Sequence, residues 1–529
     1  MPTYHLILGS LIAALALGAA LTATGGSLSR RVARLVPWLM GAVGLAAVAG
    51  LAGSHPTWQP IAVAHAGHAH ALSLGLRPDL IGLAMTAFIA GIGLVVYRYA
   101  EHYLLGDRRR EGFLAALAGV VVAAMLQALS PGVVQFALGW IAASVGLIRL
   151  IGHEGTAPAL RAARAKFLTS LVGDAGMVVA IFALLVGPGT TDFAGLATAL
   201  AGGGHQGALL LAGCAVVWAI LCKTALVPAQ HWLIGTVEAP TPLSALMHAG
   251  VVNAGGILAM LLSPLFAATP AALDLLLAIG LVSAVVGTLV MWAQTDLKRS
   301  LAWSTVGQMG FMAVQCGAGA FGAAFLHLLG HGCYKADAFL RSGTLERAVE
   351  TRPVAERPVA AVARWAIGVV IAAATLVVAY RLLRTDPGTM PGGWALLAIQ
   401  ALAMGQMLGT PTTGRIGWPR RLGLLVPGAA LYAALTVGVE HLLAGSVARI
   451  PANRSPIGSG LMVLAPVALA GLGLLWVVLP AIASHPTVIA WRIHAGHSFY
   501  LPQLAERLFR TGRTGRRQPP VTTSMEMPS

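Results

Sequence analysis

Three histidines and two lysines stand where an apolar chain has little reason to carry them. The segment AFLHLLGHGCYKADAFL places His327, His331 and Lys335 four residues apart. Successive i, i+4 positions stay close to one helix face. Two imidazoles and an amine therefore form a polar stripe roughly 12 Å long. Imidazoles titrate near neutrality, and a desolvated lysine can be drawn toward it, so such a line can pass protons through water. A second segment, LCKTALVPAQHWL, carries Lys223 with Pro228 five residues on. A proline at membrane depth frees backbone carbonyls and breaks a helix, and transporters place ion sites at such breaks. EAPTPLSALMHAG follows, with Pro240 and Pro242 before His248. Asp174, in LVGDAG, is the acid furthest inside the first half of the chain. An unpaired buried carboxylate is costly, so Asp174 is the expected ion-pair partner of Lys223. Asp337 lies two residues past Lys335, about 200° round a helix, and should face elsewhere.

Metal chemistry finds no comparable pattern. Cys214, Cys222, Cys316 and Cys333 lie in apolar runs without a CxxC pair. They read as packed free thiols. His327 and His331 lack a third ligand nearby, and the HAGHAH tract (His65, His68, His70) has no adjacent acid or thiol. No metal or cofactor is assigned to this chain. Glycine patterns of the GxGxxG kind carry no weight in so glycine-rich a chain without a preceding strand.

The elements that must hold these residues are membrane helices. The chain has 529 residues, 57% of them hydrophobic and only 10% charged, with a mean hydropathy of +0.79. That composition excludes a disordered chain and is far from that of a soluble multidomain enzyme. Apolar stretches of about 18–25 residues recur from 3–23 to 460–483, about fifteen in all, each long enough to cross roughly 30 Å of hydrocarbon. The net charge of +16 raises nucleic acid as a partner until the cations are dealt into loops. Twenty-seven of the 34 Lys and Arg then fall on one side, five on the other and two, Lys223 and Lys335, within spans. This is a positive-inside distribution with the N-terminus outside and the C-terminus cytoplasmic. It makes the charge a label of orientation rather than a nucleic-acid site. Lys166 counts here among the inside-loop cations. Only four of the 34 cations are lysines, yet the two deepest are both lysines. Arginine cannot release its proton, whereas a buried lysine can.

At these segments a resemblance emerges. KTALVPAQHWL…APTPLSALMHAG, QTDLKRSLAWSTVGQMGFM and FLHLLGHGCYKADAFLRSG resemble the antiporter-like membrane subunits of respiratory complex I. Subunit L is the nearest of these types, with kin among Mrp cation/proton antiporters and membrane hydrogenases. The resemblance covers roughly residues 95–345. It implies an all-α polytopic fold of about 14–15 transmembrane helices with inverted repeats and broken helices. It also implies a relay through Asp174, Lys223, His248, His327, His331 and Lys335. The chain departs from the family at Ile141, where a glutamate is usual, and at Leu171, where an arginine is usual. No lysine follows Lys335, so the second-half lysine of the family has no counterpart.

The short length and the FY ending with a brief basic tail are similar to the DabB subunits of bacterial inorganic-carbon accumulation complexes. That resemblance implies a DabA-like partner bearing a zinc site like that of β-carbonic anhydrases. This chain would be the energy-coupling membrane half in the bacterial inner membrane, with proton or Na+ flow driving CO2 hydration on the partner. The alternative is a proton-pumping subunit of a complex I-like oxidoreductase or membrane hydrogenase. A third reading is a structural membrane anchor. The expected organisation is an N-terminal hairpin with an outside loop at 1–79, an antiporter-like core at 80–345, divergent helices at 346–483 and a cytoplasmic basic tail at 484–529.

Overall fold

The computed structural model describes residues 2–53, 61–65, 73–342, 358–390, 392–409, 417–450 and 454–500. The chain opens with α1 (Pro2–Thr22), a short α2 (Gly26–Ala33) and α3 (Val36–Ala52). A two-stranded antiparallel hairpin, β1 (Ile61–His65) and β2 (Ser73–Leu76), follows. It is a small addition to the all-α architecture expected. His65 lies in β1, while His68 and His70 fall outside the described residues. Next come α4 (Leu80–Tyr103), α5 (Arg110–Ala128), α6 (Val133–Ile151), α7 (Ala157–Val186) and a short α8 (Phe193–Ala201). The first interrupted span is α9 (Gln206–Lys223) with α10 (His231–Gly235). The second is α11 (Thr241–Ala249) with α12 (Ala254–Leu261), and a short α13 (Ser263–Ala268) follows. Then come α14 (Pro270–Trp292), α15 (Leu297–Gly317) and α16 (Phe321–Leu340). The C-terminal part holds α17 (Pro358–Leu382), α18 (Gly393–Gly409), α19 (Trp418–Leu443), α20 (Pro456–Val478) and α21 (Pro486–Gly496).

Twelve spans among the described residues are long and apolar enough to cross a bilayer. The helices α15, α16 and α18, of 21, 20 and 17 residues, complete the fifteen segments expected from hydropathy. The bundle turns apolar side chains outward, with Leu45 74% and Val370 67% exposed. That is the surface a lipid-embedded protein needs, since hydrocarbon replaces water around it. The least lipid-exposed span is the broken one at Thr241–Leu261, 94% buried. Helix starts are marked by short polar side chains: Asp79, Thr156, Asp296 and Ser455 each accept a hydrogen bond from a first-turn amide, relieving donors the helix cannot satisfy itself. On the arginine-rich face the turn before α5 is closed by His153 Nε2, 2.8 Å from Asp107 Oδ2. That bond and the Arg109 amide hold the Asp107 carboxyl below its usual range.

Helices α14 and α15 meet backbone to backbone, and glycine allows it. A Cβ on Gly287 would stand 2.4 Å from Gly307 N, and one on Gly310 would stand 2.3 Å from Ala284 N. The two backbones touch, which is how membrane helices gain packing without a hydrophobic drive. This contact matters because α15 is the wall against which the histidines and Lys335 lean. Gly310→Leu should therefore push α15 away from α14 and lower the yield of folded, detergent-stable protein severalfold. Normal yield and melting temperature would show that the contact does not set the position of α15.

Candidate functional site

Two polar clusters are buried in the bundle, one at each helix break. The first is built on Lys223, the last residue of α9, where the chain leaves helical geometry. Ala225 has φ +55°, and Pro228 has no amide to continue the ladder. The Lys223 ammonium is 3% exposed. It donates 2.7 Å to the Trp140 carbonyl and 2.8 Å to Ser144 Oγ, both on α6, and lies 4.6 Å from the Trp140 ring centre. Ser144 in turn donates to the Trp140 carbonyl at 3.0 Å. Asp174, on α7, lies within electrostatic reach of Lys223 and Lys166 and faces the Trp140 indole. Its Oδ1 is buried without a hydrogen-bond partner.

The expected Asp174–Lys223 neighbourhood exists, but among the described residues no direct ion pair within 4.0 Å joins them. The physical reason is that α6 already supplies two acceptors and a π face to the ammonium. Ile141, where the family carries its glutamate, is 40% exposed on the outside of α6.

Lys166 requires a correction. Counted with the loop cations, it is in fact fully buried. Its Nζ lies 3.7 Å from the Trp232 ring centre and has no hydrogen-bond partner. The helix α7 has 30 residues, about 45 Å at 1.5 Å per residue, and its first third packs inward against α10. A cation–π contact on tryptophan is the strongest of its kind and gains further when desolvated. Three of the four lysines thus sit inside the bundle, against the two expected.

The second cluster joins α11, α15 and α16. Gly332 of α16 lies so close to α11 that a Cβ there would stand 2.6 Å from the Ala249 carbonyl. That approach brings His248 and the α16 stripe together. Thr305 Oγ1 donates to the Leu301 carbonyl at 3.1 Å, so its oxygen is left to accept from His248 Nδ1 at 2.9 Å. The Nε2 of His248 then carries the lone pair. Lys335, fully buried, donates to the same Leu301 carbonyl at 2.8 Å. One backbone oxygen thereby fixes both groups. His331 lies within electrostatic reach of His327, Lys335 and His248, and its Nε2 is buried without a partner. His327 Nδ1 is 2.9 Å from Gln315 Oε1, an acceptor, which again leaves Nε2 as the basic nitrogen. That nitrogen too is buried and unpartnered. The His327 and His331 rings are 5.8 Å apart. Asp337 points off the stripe as expected, to an exposed pair with Arg341 at 3.6 Å.

Of the six residues singled out, the structure unites His248, His327, His331 and Lys335 in one cluster and Asp174 with Lys223 in the other. Thr305, Gln315, Ser144 and Lys166 were missed. Lys166 had a readable signal, being one of only four lysines. The others are ordinary polar residues whose role is visible only from their neighbours. Among the described residues no three His, Cys, Asp or Glu gather as a metal site.

Comparison with known proteins fits this geometry. The family model described as NADH:quinone oxidoreductase/Mrp antiporter, TM, matches residues 130–389. The chain is 33% identical over 452 residues to the probable inorganic carbon transporter subunit DabB2 of Halothiobacillus neapolitanus, covering 83% of this chain and 80% of that protein. The chain belongs to the DabB family of antiporter-like membrane subunits. The DabB kinship extends well past the antiporter core into the divergent C-terminal helices. By contrast, the match to NADH-quinone oxidoreductase subunit L of Mycobacterium tuberculosis, also 33% identical, covers 53% of this chain and 44% of that protein. The fold is similar to that of a chain of the Mrp complex from Dietzia sp. DQ12-45-1b, with a TM-score of 0.60 at 23% identity, covering 96% of this chain and 60% of that one.

Proposed function

We propose that this DabB-family chain is the energy-coupling membrane subunit of an inorganic carbon accumulation complex. It conducts protons, or Na+, down their gradient through Lys223, His248, His327, His331 and Lys335, with Asp174 balancing charge at the first lysine. The flow drives hydration of CO2 on a DabA-like, zinc-containing partner. Zinc held by the partner would supply an acidified water whose proton must leave at each hydration, and a coupled proton path in the adjoining subunit would then control the direction of the reaction. The chain lies in the bacterial inner membrane with its N-terminus outside and its C-terminus cytoplasmic. The catalytic zinc is assigned to the partner, and no catalytic, metal or nucleic-acid role is assigned to the described residues of this chain.

The observation that carries this reading is the line of free imidazole nitrogens beside a buried lysine, in a chain whose likeness to DabB2 runs over 80% of that protein. The second reading, a pump module of a complex I-like oxidoreductase, draws on the subunit L match. One purification separates them. Affinity capture of the detergent-solubilised chain should bring down a large soluble protein with stoichiometric zinc. Recovery of flavin and iron–sulfur subunits instead would establish the oxidoreductase reading and overturn the first.

A further inference from the structure

The axis has a well-defined middle, but the family's second-half lysine is missing, so the route by which protons cross the last stretch needs another group. The structure holds a cavity at that end. It lies at the start of α16, on the arginine-poor face, and is lined by Ala320, Ala323, Tyr380, Gln400, Thr436 and Glu440 among others. Its volume of about 20 Å³ is enough for one water, which the four polar side chains in its wall can hold.

Three features tie this cavity to the relay. First, Ala323 lines it, and Ala323, His327, His331 and Lys335 follow one another at four-residue intervals along α16. The cavity is therefore the next station on the same stripe, one turn beyond His327. Second, Ala320 N donates to the carbonyl of Gln315 at 2.9 Å, the residue whose side chain holds His327. Third, an otherwise apolar wall carries four polar side chains drawn from three helices. Tyr380 Oη donates to Gln400 Oε1 at 3.2 Å, Gln400 and Thr436 are buried, and Glu440 Oε1 accepts from Gly322 N at 3.2 Å. The cavity's lining includes Pro387 and Met390, and between them Gly388 and Thr389 are exposed. A short step therefore separates the carboxyl from solvent.

We propose that Glu440, with Tyr380, Gln400 and Thr436, is the station at which protons pass between His327 and the outer face, in place of the missing second-half lysine. The proposal rests on the reading of the chain as a proton conductor. The proton held on His327 Nε2 passes through a cavity water to Glu440, leaving a neutral imidazole and a neutral carboxyl. The carboxyl then gives its proton to solvent and returns to the carboxylate. The oxygens of Glu440, Gln400, Thr436 and Tyr380 would also suit a bare metal cation. The N-terminal amides of α16 argue against one, because they point their positive ends at the carboxylate and stabilise it without a counter-ion.

The test is proton flux in proteoliposomes holding the purified complex, in Na+-free buffer, with a pH-sensitive dye inside. Glu440→Gln keeps an oxygen to accept from Gly322 N, so the helix start survives, but it cannot take up a proton. Flux should fall about 10-fold or more, within the range that a positioned proton-transfer group contributes. Tyr380→Phe, which spares the carboxyl, should lower flux severalfold and guards against a Glu440 variant that fails to assemble. Wild-type flux in E440Q, alongside lost flux in a Lys335→Ala control, would overturn this assignment while leaving proton conduction standing. Unchanged flux in that control would instead overturn proton conduction itself. Wild-type flux of E440Q in Na+-free buffer, with loss only in a parallel assay where Na+ is added, would overturn the proton station in favour of a cation site.

Discussion

Lys335→Ala should abolish proton flux while leaving the complex intact. The lysine is fully buried, and its amine makes a hydrogen bond to the Leu301 carbonyl. That carbonyl keeps its bond from Thr305 when the amine is gone, so α15 retains its backbone pairing. The packing lost on truncating a long buried side chain is of order 2–5 kcal/mol, a local cost within a large helical bundle. What disappears altogether is, among the described residues, the lysine within electrostatic reach of both His331 and His248. Loss of at least about 100-fold in flux is expected, the scale of a lost acid–base group. Lys335→Arg should fail as well, because a guanidinium keeps its charge but cannot release its proton. The second substitution separates chemistry from charge: full activity in the arginine variant would make Lys335 a structural cation. In a host lacking other carbon uptake, both variants should fail to grow at ambient CO2 while complex recovered from membranes stays near the normal amount.

Lys223→Ala is expected to have an effect of similar size by a different route. Its ammonium is held by the Trp140 carbonyl and Ser144, which pair with each other at 3.0 Å and so stay satisfied after its removal. Asp174 is left with Lys166 as the remaining lysine within its electrostatic reach. The relay loses its carrier at the first helix break, and flux should drop about 100-fold. Flux within twofold of normal would mean that protons pass the first cluster without Lys223, for instance by way of Lys166. Membrane assembly measured in parallel, as recovered complex, guards against a folding defect.

Most of the membrane architecture was legible before the structure, because bilayer thickness sets span length and few charges interrupt the runs. The α16 stripe was legible for the same reason. Four-residue spacing survives into the folded helix, and His327, His331 and Lys335 do share a face. Lys166 was not read correctly because hydropathy marks where a helix becomes apolar, not where it begins. The helix α7 starts well before its apolar run and carries Lys166 inward against Trp232. The Asp174–Lys223 pairing was legible only as a neighbourhood. Sequence shows which charges share a region, whereas the acceptors that hold an ammonium can be a backbone carbonyl and a serine on another helix. Glu440 was invisible for a related reason. Tyr432, Thr436 and Glu440 follow at four-residue intervals on α19, but a hydroxyl pair beside one carboxylate is a common pattern, and it acquires meaning only when α17, α18 and α19 enclose a cavity at the start of α16.

Proton conduction through the buried axis is the central claim, and one measurement addresses it most directly. The purified complex, reconstituted into liposomes with an internal pH dye, is given an imposed pH gradient in Na+-free buffer. Dissipation faster than in empty vesicles, abolished in Lys335→Ala and in Lys335→Arg, is the predicted result. Dissipation no faster than in empty vesicles, or equally fast in wild type and both Lys335 variants, would contradict it.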